Sequence, residues 1–250
     1  TLSHLLKTMN YSGVIMFFLR ECSYKKRSPS ERKEKAVLVS KGGHFIMEAS
    51  GGSFQDDGFL SGAQMQLSLK ENKMQFFPSF YFFQNISDIP DDNGSYEINY
   101  SIFHLGGKMQ LSNKAVFLEA DFYKNLRDYS QHTNIPRNLA EETSGYTSSI
   151  SFGELQEKKD WFFKFTYAYL QRYCAVDFMT QNDWARWDYS QFGSPDGRLT
   201  NMQGVEIVAS YVLEKNVVLT TKIYKVQQLV SYGLEKETGS RIRFDVDIKF

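Results

Sequence analysis

Long hydrophobic runs are missing from this chain. Nowhere do ~18 apolar residues follow one another, so no helix formed by it would span a bilayer. The mean hydropathy is only −0.43, but a sheet can cross a membrane with half of its strand residues facing water, and an average hides that pattern. An excess of one charge is also lacking: 29 Lys plus Arg balance 29 Asp plus Glu. That balance argues against a polyanionic partner, and no nucleic acid is expected. Cysteine is scarce. Cys22 and Cys174 stand far apart without a CxxC or His-rich neighbourhood, which excludes a disulfide framework or a zinc site. The four histidines (His4, His44, His104, His132) form no H-E-x-x-H motif, and neither a G-x-S-x-G elbow nor a Walker loop occurs. No catalytic residue, metal or cofactor is therefore expected, and His44 and His104 read as wall or rim side chains.

What the chain has is aromatic residues, 16% of the total, dominated by 21 Phe and 15 Tyr. They suit strands generally and membrane-interface belts in particular. The C-terminal ten residues (RIRFDVDIKF) alternate without a miss. Side chains on a strand have a period of two, so Ile242, Phe244, Val246, Ile248 and Phe250 share one face while Arg241, Arg243, Asp245, Asp247 and Lys249 share the other. Stretches 62–70, 115–123 and 203–213 repeat the pattern, with Gln64 and Gln66, Glu119 and Asp121, and Glu206 on their polar faces.

The separators between strand-like runs alternate in kind. Polar turns at 71–73, 112–114, 156–159 and 214–216 alternate with connections rich in Asp, Asn, Gly, Ser and Pro at about 50–58, 85–95, 126–145, 173–201 and 231–240. Tight turns at one end and long loops at the other predict an all-β, antiparallel up-and-down meander closed into a transmembrane β-barrel, with about eleven strands present. The first strand falls near 11–22. Residues 74–83 are apolar on both faces and contain Pro78, a poor fit to a central strand. Residues 96–111 change phase near Ile102 and Phe103, read as a bulge or a strand leaving the lipid zone. Residues 217–230 are ambiguous. An odd strand count beginning downward predicts missing N-terminal strands, so the chain, which opens at Thr1, reads as the C-terminal part of a longer protein and residues 1–250 as one barrel domain. The basic stretch 23–35 (SYKKRSPSERKEK) reads as a solvated connection, with binding to anionic headgroups or a periplasmic partner as its sharper alternative.

The final ~75 residues contain NDWARWDYSQFGSPDGRLTN (182–201), MQGVE (202–206), ASYVLEKN (209–216), Leu219, Tyr224 and the closing RIRFDVDIKF. Through these motifs the stretch resembles the C-terminal end of the bacterial putative-porin family of Gram-negative outer membranes. Upstream of residue 145 the resemblance rests on strand rhythm, and the 23–35 and 74–83 stretches depart from it. It implies a passive channel in the outer membrane, with Phe250 as a recognition signal for the barrel-assembly machinery.

On this reading the polar faces line a wet lumen (Arg241, Arg243, Asp245, Asp247, Lys249, Glu206, Glu119, Asp121, Lys108, Gln64, Gln66), because a charge facing lipid at midplane would cost ~2 to 4 kcal/mol. Both signs are present, which predicts weak ion preference. The loop bearing Asp183, Trp184, Arg186, Trp187, Asp188, Asp196 and Arg198 is a candidate constriction, a sugar-stacking surface, or an exposed loop closed on its own aromatics. The expected partners are outer-membrane lipid and small hydrophilic solutes or ions, and a homo-oligomer is left open. The rivals are a soluble lipocalin-like binding barrel, which would turn its apolar residues inward, and a membrane-barrel enzyme. The latter would need a Ser–His pair on neighbouring strands, with Ser101 or Ser149 as candidates.

Overall fold

A computed structural model describes residues 36–48, 57–69, 73–87, 96–111, 115–180, 183–184, 200–231 and 235–249. They form one antiparallel sheet of ten strands in strict sequence order. The strands are β1 (Val37–Glu48), β2 (Gly58–Leu69), β3 (Met74–Ser87), β4 (Glu97–Gln110), β5 (Val116–Asn125), β6 (Ser144–Gly153), β7 (Trp161–Leu170), β8 (Met202–Glu214), β9 (Val217–Gln228) and β10 (Thr238–Ile248). Among the described residues one 3₁₀ turn, Asp177–Met179, lies in the β7–β8 connection. The expected strand at 11–22, the basic stretch 23–35 and Phe250 lie outside the described residues, so ten strands stand where about eleven are expected. Among the described residues β1 and β10 are the two edges, and no pairing joins them.

Short and long connections alternate as the separators predict. At the short-turn end, Asp160 closes the β6–β7 turn by accepting the backbone N–H groups of Gln156 (3.0 Å) and Glu157 (2.7 Å) through one carboxylate oxygen. Those bonds hold its carboxyl below the usual carboxylate range. Gly153, which opens that turn, has φ +86°. A Cβ there would lie 2.0 Å from the Trp161 carbonyl oxygen, so only glycine fits.

Three readings of individual strands change. β3 is a central strand despite Pro78, paired to β2 and β4. The ladder to β4 is continuous through Pro78↔Leu105, whereas the β2 ladder breaks after Gln64↔Ser79 and resumes in register at Leu67↔Phe76. A missing N–H therefore interrupts one side of the strand without ending it. β4 shows no irregularity at Ile102. The register shift lies between Phe83 and Ile86 of β3, where Asn85 has φ +52°. Of the two alternatives the bulge is thus removed, and the apparent phase change comes from surroundings that change along the strand. Ile98, Tyr100, Ile102 and His104 lie buried on one face, and Leu105 is exposed on the opposite face. Thus β4 keeps its period while the surroundings of its two faces exchange along its length. β9 is regular, pairing with β8 and β10, and its ambiguity comes from Tyr224 and Val226, apolar bodies buried on the face that also carries Lys222.

Register transmits the two faces across the sheet. One face bears large apolar side chains open to the surroundings: Met65, Phe76, Phe80, Leu105, Phe122, Phe152, Phe163, Phe165, Ile207, Ile223 and, on β10, Ile242, Phe244, Val246 and Ile248. Phe244 is 76% exposed. The opposite face is polar in its middle and covered near the long loops. There Leu60, Phe83, Ile98, Tyr100 and Ile102 pack with Tyr129, Ile135, Leu139 and Ala140 from the β5–β6 connection and Tyr173 and Val176 from the β7–β8 connection. A neighbouring cluster joins Leu170, Cys174, Trp184, Met202, Tyr224 and Val226. The protein's dry core is thus built between one half of the polar face and the loops that fold over it.

Candidate functional site

The loops are held over that face by a few buried polar side chains. Asn125, at the end of β5, donates to the Tyr129 hydroxyl (2.7 Å) and the Tyr173 carbonyl (2.9 Å). Its oxygen accepts the backbone N–H groups of Ser101 (3.1 Å) and Arg127 (3.2 Å). Tyr129 in turn donates to the Asn99 carbonyl at 2.7 Å, and burial raises its phenol above the ordinary value, which keeps it protonated as a donor. The two legs of the β7–β8 connection are tied at their base. Thr200 donates through its backbone N–H and its hydroxyl to Asp177 Oδ1, both at 3.0 Å, and its hydroxyl also reaches the Arg172 carbonyl at 2.9 Å.

Beyond that base, Asp183 and Trp184 of the connection lie against β9 and β10. Trp184 is buried, its ring edge-on to Tyr224 with centroids 5.7 Å apart. Asp183 is buried beside it, and Arg243 Nη1 donates to both its carboxylate oxygens at 2.9 Å. Arg241 Nη1 lies 3.4 Å from Asp183 Oδ1. Arg243 Nε also donates to Asp245 Oδ1 at 2.7 Å, and Lys222 on β9 approaches Asp245 Oδ2 at 3.4 Å. One charged cluster therefore joins the loop to the last two strands.

A second cluster spans β4, β5 and β7. Glu119 accepts Lys108 at 2.9 Å and Lys164 at 3.1 Å through different oxygens. One residue pair further along, the His104 ring donates through Nε2 to Asp121 at 2.8 Å and stacks on Tyr123 with centroids 4.8 Å apart. Gln64 donates to the Ser79 hydroxyl at 3.1 Å, and Gln66 to the Ser68 hydroxyl at 3.3 Å. Glu206, on β8, accepts the Thr166 hydroxyl at 3.2 Å.

The structure thus places Gln64, Gln66, Glu119, Asp121, Glu206, Arg241, Arg243, Asp245 and Asp247 on one face of the sheet by register. Lys249 follows β10, its backbone N–H donating to the Asn216 carbonyl at 2.9 Å. The sequence did not point to Lys164, Lys222 or the His104–Asp121 pair as partners. Cross-strand register is the signal that would have found them, since Lys108↔Glu119 and Gly106↔Asp121 are opposed residues. Of the loop residues singled out, Asp183 and Trp184 are joined to the sheet, while Arg186, Trp187, Asp188, Asp196 and Arg198 lie outside the described residues.

Two serine–histidine contacts bear on catalysis. Ser79 Oγ is 3.5 Å from His104 Nδ1, but Ser79 is 1% exposed and its hydroxyl donates to the Phe77 carbonyl at 3.3 Å. No substrate reaches it in this arrangement. His44 Nδ1 and Ser61 Oγ, opposed on β1 and β2, are 2.8 Å apart on the apolar face. Among the described residues neither Ser101 nor Ser149 is brought to a histidine: Ser101 receives Arg127 Nε and Ser149 donates to Glu119. No group of three or more His, Cys, Asp or Glu side chains suited to a metal occurs among the described residues.

Comparison with known proteins agrees with this architecture. No curated protein matches the chain. A protein-family model described as a putative porin matches residues 95–250. That span takes in β4 to β10, reaching further upstream than the C-terminal motifs alone carry the likeness. Covering more than half of the sequence, the match shows that the chain belongs to the putative porin family.

Proposed function

We propose that this protein is an outer-membrane channel through which small hydrophilic solutes diffuse passively. The observation that carries the reading is the pair of faces: exposed apolar side chains run across the sheet on one side, and ion-paired side chains line the other. Soluble monomers rarely expose apolar patches beyond a few hundred Å², and this one continues from Met65 on β2 to Ile248 on β10. On β7 the apolar row runs from Trp161 to Tyr169, about 27 Å along the strand at ~3.4 Å per residue. At a tilt of about 40° that is ~20 Å of height, close to the ~25 Å apolar band of membrane barrels. A soluble lipocalin-like barrel would need the opposite orientation.

The sheet edges at β1 and β10 would be closed by further strands, so that no unpaired backbone group meets hydrocarbon. Lipid would then contact the apolar face and water the charged one, with the docked β7–β8 loop narrowing the passage. No cofactor is needed. The barrel-assembly machinery would engage the C-terminal strand ending in Phe250. Full-length protein refolded into liposomes should admit small sugars in a swelling assay and exclude large oligosaccharides. Vesicles that never swell, with folded protein present in the bilayer, would end the proposal. One observation favours a second reading, a barrel enzyme acting on acyl esters: the His44–Ser61 contact on the apolar face. Esterase activity lost in Ser61→Ala would establish it, and its absence in the unaltered protein would dismiss it.

A further inference from the structure

Counting charges on the polar face gives near balance, which is why the sequence predicts weak ion preference. Exposure breaks that balance. Asp183 has a side chain only 7% exposed, whereas its partners Arg241 and Arg243 are 44% and 41% exposed. Lys108 is 42% exposed and the Glu119 it contacts 31%. Asp245 is 22% exposed, beneath Arg243. Of the remaining carboxylates, Asp121 sits against His104 and Glu206 is buried beside Thr166, whereas Asp247 near the end of β10 is exposed, as is Lys249. The two charged clusters hold five cations (Lys108, Lys164, Lys222, Arg241, Arg243) and three carboxylates (Glu119, Asp183, Asp245).

An ion in the passage feels most strongly the charge nearest to it. At Lys108, Arg241 and Arg243 the nearest groups are ammonium and guanidinium ends more exposed than the carboxylates they bind, whereas Lys164 and Lys222 are about as exposed as Glu119 and Asp245. Five cations against three carboxylates leave the two clusters with an excess of two positive charges. The loop contributes to this arrangement, because Asp183 reaches the wall from the β7–β8 connection and is covered by the arginines it binds.

We propose that the polar face selects small anions, with Lys108, Arg241 and Arg243 as the residues that set the preference. This rests on the channel reading and gives it a solute class. The selectivity is electrostatic and exposed to water, so screening limits it. With a Debye length of ~10 Å at 0.1 M salt and ~3 Å at 1 M, we expect an anion-to-cation permeability ratio on the order of fivefold at 0.1 M, approaching unity at 1 M.

The test is the zero-current potential of the full-length protein in planar bilayers under a KCl gradient. A potential of the sign that marks chloride as the more permeant ion, shrinking as total salt rises, is the expected result. Lys108→Gln combined with Arg241→Gln should bring the ratio at 0.1 M close to one while channels still open. Lys108→Arg should retain the preference of the unaltered protein, which guards against reading a folding defect as a loss of selectivity. Open channels that favour potassium, show no preference at 0.1 M, or keep their preference in the double variant would overturn this inference and leave the channel reading intact. Complete absence of conductance would remove both.

Discussion

Replacing Trp184 with alanine should release the β7–β8 connection from the sheet, and a natural reporter for that event lies in the same cluster. Cys174 is fully buried, packed with Trp184, Leu170 and Met202. It sits so close to β6 that a Cβ on Gly145 would lie 2.8 Å from its sulfur. Burial also raises its thiol pKa, so little reactive thiolate forms while the loop is docked. Truncating a buried Trp to Ala costs ~3 to 5 kcal/mol in a packed core. Since 1.36 kcal/mol is a factor of ten, a loss of about 3 kcal/mol raises the undocked population on the order of 100-fold. In a Cys22→Ser background, maleimide should therefore label Cys174 on the order of 100-fold faster in Trp184→Ala than in the parent, provided opening is faster than labelling. Circular dichroism should show the same strand content in both. Equal labelling rates in two folded proteins would refute the reasoning, because they would mean that Trp184 does not hold the loop over Cys174.

Other expectations follow from different parts of the fold. Phe244→Arg, on the most exposed apolar position of β10, should lower stability in bilayers by about 2 to 4 kcal/mol, measured by denaturant titration in liposomes. Asp247→Asn on the opposite face should change it little, and equal effects would contradict the assignment of faces. Asn125→Ala removes the partner of two backbone N–H groups and a carbonyl, costing about 1 to 3 kcal/mol for a buried group left unsatisfied; chemical unfolding should record it, and an unchanged midpoint would deny Asn125 its anchoring role. Asp160 has a lowered folded-state pKa, so its contribution is present above the unfolded value of 3.8 and is lost as pH falls through the folded value. Hydrogen exchange at the Gln156 and Glu157 amides should register that loss on acidification, and Asp160→Asn should abolish the pH dependence without it.

Much of the meander was legible because a period of two survives wherever each face has one kind of neighbour. Residues 241–250 show this best: a two-residue code assigns Ile242, Phe244 and Val246 to one face and Arg243 and Asp245 to the other without any tertiary information. Legibility failed where a face changes neighbours along its length. On β4, Ile98, Tyr100 and Ile102 are apolar because loops cover them, whereas Leu105 is apolar on the side left open, and a one-dimensional pattern renders that exchange as a slip of phase. β3 misled because a proline penalises only the ladder its nitrogen faces, which a sequence does not reveal. The loop–sheet clamp was less legible still. Asp183 and Arg243 are sixty positions apart, and nothing in either residue's surroundings in sequence names the other. The loop's composition indicated aromatics and charges, but only coordinates show Asp183 and Trp184 turned onto β9 and β10.

The crossover on β4 has a consequence for engineering. Short of the level of Ile102 the polar face lies open, and beyond it the same face is packed with apolar side chains under a roof made from 126–143 and 171–180. Shaving that roof would strip cover from Leu60, Phe83 and Tyr100. Such a deletion is better regarded as removing half of a hydrophobic nucleus than as trimming a flap.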